Sequence, residues 1–152
     1  MVVLLAYFLS EGGPGLRADP PRWHFITGMA VLLLVIPRLL VRAVCGAPPL
    51  EDTLGKWLTL GAKLTHAALY LLLIAVPLTG WYVMSRLGVT FSVFGHALPA
   101  LTAPVQGRPG LVGDIHQWGG NGILIIAGAH AALALWHHFA RHDDTLRRMS
   151  PF

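Results

Sequence analysis

Charge is scarce in this sequence. Lys, Arg, Asp and Glu together make up 12% of its 152 residues, against 55% hydrophobic ones, where a soluble domain carries roughly a quarter charged. Mean hydropathy is +0.61. A single cysteine, Cys45, excludes an internal disulfide and any iron–sulfur or zinc site built from several thiolates. The three long apolar runs contain no Asp or Glu, which argues against a carboxylate-lined ion path. There is no repeat period and no low-complexity tract. The opening MVVLLAYFLS lacks the basic flank and small-residue cleavage site of a signal peptide.

What is present is length of apolar chain. Residues 23–44, 58–84 and 116–140 are each long enough to cross a bilayer, since a helix needs about 20 apolar residues for a hydrocarbon core of ~30 Å. Lipid offers the backbone no hydrogen bonds, so these runs are helices. MVVLLAYFLS, residues 1–10, is too short to span; it reads as the second half of a transmembrane helix, the alternative being a short interfacial segment. The fold class is therefore all-α, a transmembrane four-helix bundle with its first helix present only in part, and one domain covers 1–152. The sequence pI of about 9.8 does not signal nucleic acid, because the basic residues sit at helix ends. Arg38, Arg42, Lys56, Lys63, Arg141, Arg147 and Arg148 flank 45–57 and the C-terminus, and Arg17, Arg22, Arg86 and Arg108 lie around 11–22 and 85–115. The positive-inside rule places the first group in the cytoplasm and the second on the periplasmic side.

That orientation sets the histidines in depth. His24 and His116 both stand at the outer starts of their spans. His130 follows His116 by fourteen residues, a rise of about 21 Å and a rotation within ~40° of whole turns, so the two share a face at different depths. His137, seven residues on, falls on that face again near the inner surface. Intramembrane ionisable residues normally face the bundle interior, and paired histidines on facing helices suit the axial ligation of b-type haem, a flat apolar disc. Fourteen-residue spacing on one helix would serve two discs. Gly28, Gly119, Gly120, Gly122 and Gly128 suit close approach of such a disc, or alternatively ordinary small-residue helix packing. Arg38, fourteen residues after His24, reaches the depth of His130 and either pairs with a haem propionate or snorkels to headgroups.

WHFITG around His24, RLLVR at 38–42, LTHAALYLLLIAVPLTGWYVM at 64–84, DIHQWGGNG at 114–122, GAHAALALWHHF at 128–139 and DTLRRMSP at 144–151 together resemble the bacterial di-haem cytochrome b561 family, which includes the superoxide oxidases. The resemblance runs from residue 1 onward. It implies four helices and two b haems, with His24 and His116 on the iron of the outer haem and His130 on that of the inner one. The family's second inner ligand, a histidine near the start of helix one, has no counterpart; its spacing would put it about nine residues before Met1, so this chain holds one haem or two. His66 is the in-chain substitute. The resemblance further implies a bacterial inner-membrane oxidoreductase that takes electrons from superoxide at the periplasmic face and reduces ubiquinone near the cytoplasmic one.

On that reading Arg86, just past the third helix, is the candidate for steering the superoxide anion, although an arginine there also suits lipid phosphates. His137 is the candidate for contact with the quinone oxygens, or else an interfacial anchor. His96 and His142 fall in connecting or tail regions. An alternative function keeps the haems but takes electrons from a protein partner, as the electron-transfer subunit of a membrane dehydrogenase or hydrogenase. A transporter using His130, His137 and His138 leaves His24 and His116 unexplained.

Overall fold

A computed structural model of the chain describes residues 3–6, 22–46, 55–93, 95–108 and 110–140. Residues 3–6 are helical (α1). Three long helices follow, α2 (Arg22–Cys45), α3 (Lys56–Arg86) and α4 (Leu111–Phe139), with a two-stranded hairpin, β1 (Ser92–Val93) and β2 (His96–Ala97), between α3 and α4. All three long helices have the length and composition of membrane spans. Arg17, Arg141, His142, Arg147 and Arg148 lie outside the described residues.

Few side chains are buried. Phe25, Val31, Val35, Ile123 and Ala134 form the core, while Val44 and Trp57 are each 85% exposed and Ile125 72%. In water such a surface would aggregate; in a bilayer it meets acyl chains, and packing between helices depends on close van der Waals fit instead. α3 is the central element, packed against both α2 and α4. Its closeness to α4 rests on glycine. A Cβ on Gly119 would stand 2.8 Å from Val76 Cγ2, and one on Gly80 would stand 2.8 Å from His116 Cε1. Pro37 and Pro77 lie inside α2 and α3 without ending them, as membrane helices permit.

α4 starts at Leu111, after Gly110, one turn and more ahead of the 116–140 span read from hydropathy. Its 29 residues make it about 44 Å long and set His116 about 7.5 Å inside its N-terminal end. Asp114 in its first turn complements the helix dipole.

The chain between α3 and α4 folds back as a cap. Its tie is Ser85, which is 5% exposed. The Ser85 Oγ donates to the Trp81 carbonyl at 2.9 Å and accepts the Leu101 N–H at 3.1 Å. Trp81 Nε1 donates to the Pro99 carbonyl at 3.2 Å, and the Val105 N–H reaches the Arg86 carbonyl at 2.8 Å. Phe91 stacks on Phe25, ring centroids 4.0 Å apart and planes 10° from parallel, so the cap also seats on α2. Ser85→Ala removes the acceptor of the Leu101 N–H, a loss of about 0.5–1.5 kcal/mol. It is expected to lower the thermal unfolding midpoint in detergent, read by circular dichroism, while leaving the helix content unchanged.

Candidate functional site

Four half-buried histidines meet as two pairs between the helices. At the hairpin end, which the pattern of basic residues makes the expected outer end, His24 of α2 and His116 of α4 meet with ring centroids 5.8 Å apart and planes at 88°. Towards the other, inner end His66 of α3 and His130 of α4 meet at 5.2 Å and 72°. The structure thus brings together every candidate iron ligand that the sequence offers, α4 supplying one member of each pair.

The outer pair is held from behind. His24 Nδ1 lies 2.6 Å from the Ala6 carbonyl oxygen, and His116 Nδ1 lies 2.9 Å from that of Val76. A carbonyl can only accept, so both Nδ1 atoms carry the proton and both Nε2 atoms are left as lone-pair donors, the tautomer a metal needs. Thr79 Oγ1 stands 3.4 Å from His116 Nδ1, and bonds to the Ala75 and Val76 carbonyls at 2.9 Å. A cavity of about 410 Å³ opens beside the pair, lined by His24, Gly28, Val31, Pro77, His116 and Gly120 among others. Its size falls within the range of small-molecule and cofactor sites, about 300–1,000 Å³, and its walls are mainly apolar as such sites require. With metal–imidazole bonds of about 2 Å, two imidazoles on opposite sides of one metal hold their centroids about 6 Å apart, and the outer pair meets that distance. Residues, tautomers and space all fit a b-type haem.

The glycines divide between two roles. Gly28 and Gly120 line the cavity, whereas Gly119 faces Val76 and serves helix packing. Gly122 and Gly128 have open space where a Cβ would stand and lie away from the cavity. Gly80, which no sequence signal singles out, has its Cβ position closest to a site histidine, because its importance depends on how α3 registers against α4.

Towards the inner end Arg38 is exposed on α2. Arg42, one turn further, lies with its guanidinium 5.5 Å from the centroid of the Tyr70 ring of α3. His137 is half-buried, its ring 5.2 Å from that of Trp136 at 87°, and His138 lies against Phe139 at 4.8 Å. At the outer end the Arg86 side chain is half-buried and its Nε is buried with no hydrogen-bond partner among the described residues. His96 is exposed on the hairpin.

All of residues 1–152 match the family model described as prokaryotic cytochrome b561. The chain is 32% identical over 149 residues to cytochrome b561 homolog 2 of Escherichia coli K12, covering 97% of this chain and 77% of that one. It is 33% identical over 129 residues to cytochrome b561 homolog 1 of the same organism, covering 84% and 73%. It is also 29% identical over 158 residues, 99% and 90% of the two chains, to a protein of Yersinia pestis named probable superoxide oxidase CybB.

Proposed function

Because the chain belongs to the prokaryotic cytochrome b561 family, a family of membrane electron-transfer proteins whose cofactor is haem b, we propose that it oxidises superoxide at the outer membrane face and reduces ubiquinone at the inner one. The observation that carries this is the outer histidine pair, two imidazoles 5.8 Å apart beside an apolar cavity. The likeness to a relative named probable superoxide oxidase supports the choice of donor. In the balanced reaction two superoxide anions become two molecules of dioxygen, and one ubiquinone takes up two electrons and two protons to become the quinol. The orientation follows the basic residues, with 45–57 and the C-terminus cytoplasmic and 11–22 and 85–115 periplasmic.

Haem b, when bound, supplies the reversible one-electron chemistry that no side chain here offers. The chain's own residues do the rest. His24 and His116 would hold the iron of the outer group, their rings fixed by the Ala6 and Val76 carbonyls. His130 would hold the inner one from α4. The cap over α2 and α3 limits water at the outer end. Arg86, at the outer end of α3, puts a positive charge where the anion arrives and raises its local concentration. At the inner end Arg38 would pair with a haem propionate. His137 would give a hydrogen bond and a proton to a quinone oxygen, a role an imidazole performs near neutral pH.

The test is the rate of haem reduction by superoxide in the purified full-length protein, followed by reoxidation with a soluble ubiquinone. Arg86→Glu is expected to slow the superoxide step on the order of tenfold and to reverse its dependence on ionic strength, with haem content unchanged. No reduction by superoxide, together with rapid reduction by a membrane dehydrogenase or hydrogenase, would overturn this donor in favour of a protein partner.

A further inference from the structure

We propose that Trp81 closes the outer haem site against water on the side of the cap, and that its ring thereby sets the potential of the haem held there. The inference rests on the haem-binding reading above and adds to it a residue that is no metal ligand. Trp81 is half-buried on α3, directly after Gly80, whose Cβ position lies against His116. It lines the cavity beside His24 and His116. It also lines a small void beneath the cap, together with Phe91, Leu98 and Pro99. Phe25, Trp81 and Met84 are common to both spaces, so at this point one layer of side chains separates the cap from the cavity.

The three differ in how they are held. Phe25 is 7% exposed and stacks on Phe91, and Met84 is a flexible thioether that adapts to its neighbours. Trp81 is the one whose side chain is hydrogen-bonded to the cap, its Nε1 donating to the Pro99 carbonyl at 3.2 Å. An indole suits that place, because its N–H is satisfied at the cap and the rest of its surface is apolar. The consequence is electrostatic. The ferric form of a bis-imidazole haem carries one more positive charge than the ferrous form. Low-dielectric surroundings disfavour the more charged form and water favours it, so solvent access lowers the potential. Aromatic bulk at this point therefore keeps the potential high, which makes the haem the readier acceptor of an electron at this face. It also hinders the haem from leaving.

The test is a redox titration followed by visible spectra, with the rate of haem transfer to apo-myoglobin, in the purified full-length protein. The component followed is the one missing from His24→Ala/His116→Ala. Trp81→Ala is expected to lower its potential and to speed its transfer on the order of tenfold. Trp81→Phe, which keeps an aromatic wall without the N–H, is expected to restore most of both. Ser85→Ala, which releases the cap at Leu101 but leaves Trp81 in place, is expected to leave the potential unchanged. Trp81→Val is expected to shift both readings in the same direction by less, and serves if the alanine variant fails to fold. An unchanged potential and transfer rate in a folded Trp81→Ala or Trp81→Val protein would overturn the inference. Equal shifts in Ser85→Ala and Trp81→Ala would overturn it in favour of the cap as a whole. Equal shifts in Trp81→Phe and Trp81→Ala would overturn the ring as the wall in favour of its hydrogen bond. Each of these results leaves the proposed function intact, whereas a wild type with no haem on the His24–His116 pair would overturn both readings.

Discussion

Replacing His116 with alanine is expected to remove the outer haem almost completely from a protein that still folds. His116 sits half-buried in α4, its Nδ1 tied to the Val76 carbonyl of α3, which leaves Nε2 as the lone pair available beside His24. Alanine deletes that donor and leaves His24 as a single ligand, while α4 loses no backbone hydrogen bond and gains helix propensity. The packing of α3 on α4 persists through Gly119 and Val76. The measurement is haem per chain beside circular dichroism of the same sample. Imidazole added to the solution has room to enter the vacated space and is expected to restore part of the low-spin spectrum. A histidine that merely packed between helices would give neither the loss nor the rescue.

Gly80→Ala is expected to have an effect of comparable kind through a residue that touches no metal. A Cβ there would stand 2.8 Å from His116 Cε1 and 3.2 Å from Nδ1, closer than packed carbon atoms allow, so the ring must turn. Turning it lengthens the 2.9 Å bond to the Val76 carbonyl and changes the ring's disposition towards His24, 5.8 Å away. Loss of such a supporting hydrogen bond costs about 10–100-fold in metal affinity. Gly80→Ala should therefore lower outer haem occupancy by that order under dilution, or under competition with apo-myoglobin. Gly122→Ala adds the same methyl where nothing lies within 4 Å and is the control expected to leave haem binding unchanged.

The contrast between His116 and Gly80 shows where the sequence stops being legible. Helices are read from length, because the lipid core forces any 20-residue apolar run into one conformation. The depth of a histidine on its own helix follows from a fixed rise per residue, so the matching depths of His24 and His116 follow from their positions in the chain. Which face of α3 meets which face of α4 is set by packing between helices, and nothing local encodes it. For that reason Gly80 carries no mark in the sequence, Gly119 reads equally as cofactor face or helix packing until its approach to Val76 is seen, and nothing local announces the contact of Arg42 with Tyr70. The hairpin has the same cause: strands of two residues each are too short to show alternation, and they exist because the cap's hydrogen bonds to Ser85, Trp81 and Arg86 fold that segment back. His66 is intermediate. Its depth is legible in the sequence, but its meeting with His130 at 5.2 Å is not.

Whether His24 and His116 hold a haem between α2 and α4 is tested most directly by the reduced-minus-oxidised visible spectrum. It is recorded, with haem per chain, for the purified full-length protein beside the double variant His24→Ala/His116→Ala. Sharp low-spin b-type bands are expected in the wild type, and the loss of one haem per chain in the variant. Equal haem content and identical spectra in the two proteins would contradict a haem on this pair.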